Sequence, residues 1–113
     1  MSVVYAVQRK IRSDGSDEFD MRPALRWGEL RYLLGPTAKP WDPSVLGELR
    51  YKLVSFRSFE DHLLLVGNPV LIGLTCVVAA QRGTRLSMLQ WDGARREYRQ
   101  AVFGNNDWSS AWR

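Results

Sequence analysis

The stretch LLLVGNPVLIGLTCVVAA, residues 63–80, runs for eighteen positions without a charged side chain. That is the lower edge of what crosses a bilayer, but Gly67-Asn68-Pro69 cuts it in two. Gly and Asn stop a strand. Asn followed by Pro opens a helix, because the Asn oxygen accepts free amide N–H groups and the Pro ring already has the φ of the first turn. Residues 63–66 therefore read as a central strand, apolar on both faces. Residues 70–80 read as a helix that is apolar nearly all round and so expected in the interior. A strand and a helix in succession replace a membrane span.

Working outward, Asp42-Pro43 repeats the cap pattern of Asn68-Pro69. Leu46, Leu49, Leu53 and Phe56 follow at three- and four-residue spacing with Glu48, Arg50 and Lys52 on the other side, the signature of an amphipathic surface helix. Before it, residues 29–34 (ELRYLL) alternate and end apolar, a strand closed by Gly35-Pro36. Residues 3–8 (VVYAVQ) are β-branched and aromatic, a further strand. Between these two strands, SDGSDE at 13–18 is a turn or mobile loop, and Pro23 opens a short helical turn within 19–27. His62, ahead of the apolar run, is expected at a strand edge.

On the other side, Arg82-Gly83-Thr84 ends the helix and residues 86–92 (LSMLQWD) begin a strand with Leu86, Met88 and Gln90 on one face. Residues 93–96 turn the chain, and 97–103 return as an antiparallel partner, with Tyr98 placed for cross-strand packing. Alternating strands and helices predict parallel pairing with right-handed crossovers. The expected fold is α/β: a single small domain over residues 1–104, with a mixed sheet of about five strands. Its core is a parallel β-α-β-α-β unit followed by a C-terminal β-hairpin. Residues 105–113 (NNDWSSAWR) form a Trp-bearing tail.

Composition agrees with one globular unit. A chain of 113 residues, 45% hydrophobic and 25% charged, is neither disordered nor long enough for two independent domains. Five Trp, four Tyr and four Phe supply apolar area enough to dispense with staples. The single Cys excludes an internal disulfide, and one His with one Cys cannot furnish a structural zinc site. No metal or cofactor is implied. The opening MSVVYAVQRK carries its cations after a short apolar stretch and has no small-residue cleavage site, so no secretory signal is expected. The net charge is +4, and thirteen of the sixteen cations are Arg, spread along the chain rather than gathered in a basic arm. A solvated Arg-rich surface is the plainer reading, and nucleic-acid binding through distributed Arg is the weaker alternative.

Few residues carry a chemical signal. The loops 35–41 (GPTAKPW) and 67–73 (GNPVLIG) are expected to leave the carboxyl ends of adjacent parallel strands, where open α/β sheets bind ligands. Thr37, Lys39, Gly67 and Asn68 are the candidate anion ligands there, against the plainer view that Gly, Asn and Pro only turn and cap the chain. Neither loop is a known phosphate motif, since GxGxxG and GxxxxGK[ST] are both missing. His62 has no nucleophile at motif spacing, and Cys76 reads as a small core hydrophobe. Asp14, Asp17, Glu18 and Asp20 form a solvated acidic loop without the calcium-loop pattern. Trp41 and Trp91 read as structural. The tail residues Trp108, Trp112 and Arg113, with Arg95, Arg96 and Arg99 of the hairpin, are a candidate protein-binding surface, because Trp and Arg dominate binding hot spots. The competing reading folds the tail back over the open sheet face.

Three segments, FDMRPALRWGELRYLLGPTAKPW (19–41), HLLLVGNPVLIG (62–73) and LSMLQWDG (86–93), in this order and spacing, resemble a family of small uncharacterised proteins encoded by tailed bacteriophages. The resemblance covers residues 3–103. It implies a one-domain α/β fold and a phage context in the host cytoplasm, and it supplies no activity and no catalytic residue. The expectation is a non-enzymatic accessory protein that binds a host or phage protein. The alternatives are a small-ligand or phosphate-binding domain, a nucleic-acid binder, or a virion component, with homo-oligomers open.

Overall fold

All six residues of β1 (Val3–Gln8) are buried, which a strand achieves only inside a sheet covered on both faces. The structure, a computed structural model, describes residues 2–104. After β1 come a 3-10 helix (Arg22–Trp27), β2 (Glu29–Leu34), α1 (Ser44–Lys52) and β3 (His62–Leu64). They are followed by α2 (Pro69–Ala80), β4 (Arg85–Asp92) and β5 (Glu97–Gly104). The five strands form one sheet in the order β2-β1-β3-β4-β5. β1 pairs in parallel with β2 and β3, and β3 in parallel with β4. β5 runs antiparallel to β4 from Arg85 opposite Gly104 to Asp92 opposite Glu97. The α/β class, the mixed five-stranded sheet and the C-terminal hairpin are as the sequence predicts.

The order corrects one expectation. The loops after β2 and β3 do not leave adjacent strands, because β1 lies between them. The chain steps outward from β1 to β2 past the 3-10 helix and then returns across β1 to β3 through α1. Right-handed crossovers taken in opposite directions put their connections on opposite faces. Val3, Tyr5, Val7, Leu63 and Leu86 accordingly pack with Leu49 of α1 and with Leu71 and Val78 of α2. Val4, Ala6, Leu64 and Leu89 pack with Ala24 of the 3-10 helix and with Tyr98.

α2 is not interior. Leu71, Thr75, Val78 and Ala79 face the sheet, while Val70 and Val77 are 62% and 56% exposed. Only one face of a helix lying on a sheet is covered, and with α1 as its sole helical neighbour among the described residues the outward stripe meets water although no residue in it is charged. Asn68 caps it as expected, its Oδ1 accepting from the Val70 and Leu71 amides. α1 buries Val45 and Leu49, with Leu53 and Phe56 continuing the buried line just past its end. Phe56 meets the Tyr5 ring at 5.8 Å. The polar segment 13–18 is a tight turn. The Asp14 carboxylate accepts from the Ser16 amide and hydroxyl, and Gly15 takes a φ of +87°. Trp41, expected to be structural, stands 79% exposed, because it falls in the loop before α1, out of reach of either core cluster.

Candidate functional site

The carboxyl ends of β1, β3 and β4 are where this topology opens. β3 is only three residues long, whereas β1 runs on to Gln8 and β4 to Asp92. After Leu64 the chain folds on itself, with the Val66 amide donating back to the Leu64 carbonyl at 3.0 Å. Leu65 and Val66 still bridge the neighbouring strands, the Leu65 amide donating to the Leu89 carbonyl and the Gln8 amide to the Val66 carbonyl, so the notch lies beyond Val66, beside β4, which runs on to Asp92. The chain leaving β1 passes to the face of the 3-10 helix, and the chain leaving β3 passes to the α2 face, so the notch is a topological switch point, the usual ligand crevice of open α/β sheets.

Gln8, at the end of β1, ties this region together. Its Nε2 donates to the carbonyls of Gly35 and Ala38 at 3.2 Å each, and its Oε1 accepts from the Asn68 amide at 2.9 Å. The loops 35–41 and 67–73, separated by a strand, are thus joined through one buried side chain. Gly67 sits against it with φ +118°, where a Cβ would lie 2.5 Å from that of Gln8. Among the anion candidates, Gly67 and Asn68 belong to this junction, and the amides Asn68 caps are occupied by its own side chain. Thr37 and Lys39 are exposed on the neighbouring loop.

On the 3-10 side the notch opens into a cavity of about 510 Å³. Its floor is the end of β3 and the following segment, Leu64 to Gly67. Lys10, Glu18, Phe19 and Asp20 enter from the loop after β1, and Trp91 and Tyr98 from the hairpin. The two hairpin rings meet edge to face at 5.0 Å as cross-strand partners. Trp91, read from sequence as structural, remains 45% exposed because β4 runs past the end of β3. Arg22 chelates Asp20 and holds its carboxyl down to about 2. Tyr98 is raised above its usual range by burial and by neighbouring Tyr32 and Asp20.

The hairpin arginines gather around one carboxylate. Arg99 and Arg95 approach Asp92 at 3.5 and 4.0 Å, and the amides of Arg95 and Ala94, with Arg99, hold Asp92 below its ordinary value. Arg96 forms the turn with φ +54°. Gly104 stands opposite Arg85, at the far end of β5 from that turn. Trp108, Trp112 and Arg113 lie outside the described residues. Elsewhere too, arginines pair with acids, Arg9 with Asp17, Arg26 with Glu97 and Arg31 with Glu29, so the distributed positive charge is largely compensated at the surface.

At the opposite end of the sheet is a surface that the sequence did not flag. Tyr51 and Val54 at the end of α1 and Phe59 before β3 are 79%, 57% and 72% exposed. The Arg82 guanidinium donates to the Val54 carbonyl at 2.8 Å, and Arg85 donates to the Ser58 carbonyl and lies over the Phe59 ring. These contacts set Arg82 beside Val54 and Arg85 on Phe59, and the Val54 amide, donating to the Tyr51 carbonyl, places Tyr51 one turn before Val54 in the same strip. Its members are spread over four segments, so no local motif announces it.

His62 and Ser87 are buried, and Cys76 is half-buried. His62 Nδ1 lies 2.6 Å from Ser87 Oγ, which also accepts from Gln100 Nε2, and Ser87 is fully buried. His62, expected at a strand edge, is the first residue of β3 and is covered by Trp27 at 5.4 Å. Burial raises the Cys76 thiol above its usual value. Among the described residues no cluster of His, Cys, Asp and Glu is placed to hold a metal ion, and no helix is long and apolar enough to cross a membrane.

No curated protein and no solved structure matches this chain. A family model described as Phage Pam3 gp32-like protein matches residues 2–105, the whole of the α/β unit described above. The chain therefore belongs to the Phage Pam3 gp32-like protein family.

Proposed function

We propose that this phage protein is a non-enzymatic interaction module that engages a host or phage protein in the host cytoplasm. The observation that carries the reading is the strip of Tyr51, Val54 and Phe59 with Arg82 and Arg85. Exposed aromatic rings interleaved with Arg are the composition of binding hot spots, in which the rings bury area and the guanidinium groups pair with acidic groups of the partner. A binding role in preference to catalysis is supported by the burial of His62 and Ser87 and by the raised thiol of half-buried Cys76, since a nucleophile must reach its substrate and be activated there. The partner expected is a protein whose contact face carries acidic side chains around an apolar centre.

The test is affinity capture of the tagged full chain from infected cells at low and high salt, with identification of what is retained. A Tyr51→Ser/Phe59→Ser variant and an Arg95→Glu/Arg99→Glu hairpin variant run alongside. All four positions are on the surface, so both variants are expected to fold, which their circular dichroism spectra check before the capture. The expectation is one protein held at high salt by the parent and released by the aromatic variant, a loss of about 2 kcal/mol or more for a hot-spot pair. Retention by the aromatic variant with release by the hairpin variant moves the contact to the hairpin. An eluate emptied by salt, with nucleic acid at low salt, overturns the reading.

A further inference from the structure

We propose that the crevice over residues 64–67, between the loop that follows β1 and the C-terminal hairpin, binds an unphosphorylated nucleobase or nucleoside, recognised as a planar ring with an amine-bearing donor edge and a carbonyl acceptor. This is independent of the interaction surface, which lies at the other end of the sheet. A cavity of about 510 Å³ is the size that takes a ring with a sugar attached. Phe19 on the loop side and Trp91 on the hairpin side are both about half exposed, leaving aromatic surface free for stacking. Lys10 and Glu18 line the same cavity. Among the described residues neither side chain forms a hydrogen bond or an ion pair, whereas neighbouring Asp17 and Asp20 are taken by Arg9 and Arg22.

That pairing of free groups selects the ligand. A carboxylate only accepts and an ammonium only donates, so Glu18 calls for ring or exocyclic N–H groups and Lys10 for a ring carbonyl or nitrogen. Guanine presents adjacent ring and exocyclic N–H groups beside a carbonyl and cytosine an exocyclic amine on a ring with a carbonyl, whereas the N–H on uracil's pairing edge lies between two carbonyls that a carboxylate repels, and adenine has no carbonyl. Phosphate is disfavoured. The amides that could cradle one, at Asn68, Val70 and Leu71, are occupied by Gln8 and by the Asn68 side chain, and the carboxylates of Glu18 and Asp20 face the same space.

The full chain, with its indole N–H groups observed by NMR, is titrated with guanosine, cytidine, uridine and guanosine 5′-monophosphate. Saturable shifts of the Trp91 indole with guanosine or cytidine are expected, with weaker binding of uridine and of the monophosphate. Trp91→Ala should weaken binding about tenfold, as the loss of one stacking platform does. Because Trp91 also packs on Tyr98, Glu18→Gln at an exposed position is the second variant, and it should narrow the gap between guanosine and its monophosphate. Absence of saturable shifts with every probe overturns the proposal. So does tighter binding of the monophosphate than of guanosine, or affinity unchanged in Glu18→Gln.

Discussion

Gln8 is the residue on which the carboxyl end of the sheet depends. Its amide offers two N–H groups and one oxygen, and the two carbonyls and one N–H around it use all of them. An apolar residue of similar volume at position 8 would leave the Ala38 carbonyl and the Asn68 amide without partners, while the Gly35 carbonyl would keep its bond from the Ala38 amide; each orphaned group costs roughly 1–3 kcal/mol when buried and less at these half-buried positions. Gln8→Met is therefore expected to lower stability by about 2 kcal/mol in urea denaturation, and unchanged stability would mean that water replaces the side chain at no cost. Asp61 plays the matching part at the other end of β1. It is fully buried, and its carboxylate accepts from the Val3 amide at 2.9 Å and from the Arg57 backbone and guanidinium. Neither role was legible in the sequence. A Gln closing an apolar strand reads as its polar end, and an Asp between Glu60 and His62 reads as a solvated turn, because the groups they satisfy are brought close only by the sheet order.

At the scale of the element, what the sequence could show was whatever local chemistry decides. The Asn68 cap, the strand character of VVYAVQ and the hairpin over residues 93–96 follow from side chains within a few positions of each other, and each stands where its pattern placed it. The depth of α2 did not follow, because an all-apolar helix has no polar side to mark which face turns outward. Leu71 and Val77 separate the two faces. Leu71→Ala removes a fully buried side chain and should cost about 2–5 kcal/mol. Val77→Lys, at an exposed position, should stay within roughly 0.5 kcal/mol of the parent. Urea midpoints for the two variants check this, and a large loss for Val77→Lys would place that stripe in an interface. The candidate crevice was half legible. The rule that open α/β sheets bind at their carboxyl ends points to the end of the sheet where the proposed crevice lies and to the loop at Gly67. Phe19, Trp91 and Tyr98 come together where the chain leaves the sheet after Val66 while β4 runs on to Asp92, a mismatch in length that neither segment's own sequence reveals.

Across the whole molecule, the single histidine links folding to pH. Burial lowers the His62 pKa from its ordinary value of 6.5, with Arg85 acting in the same direction and Asp61 opposing them. The hydrogen bonds agree with a neutral ring. Gln100 Nε2 donates to Ser87 Oγ, and the Ser87 hydroxyl is then free to donate to His62 Nδ1. Protonating Nδ1 would leave that hydroxyl proton without an acceptor in a buried site. The unfolded chain takes up a proton near pH 6.5 while the folded chain does so only at lower pH. Stability is therefore full above about pH 6.5 and falls as the pH drops toward the folded-state value, below which this contribution stops changing. The depressed carboxylates, Asp14, Asp20, Asp42 and Asp92, act in a separate window. Their contribution is present above the ordinary carboxylate value and is lost at more acid pH, as each is protonated in the folded state. Urea midpoints measured from pH 7.5 down to pH 5 should decline in the parent. In His62→Gln, which keeps a polar group beside Ser87 but cannot titrate, the profile over that interval should be flat even if the variant is less stable throughout. A parallel decline in both proteins would assign the pH dependence to the surface ion pairs instead of to the buried chain from Gln100 to His62.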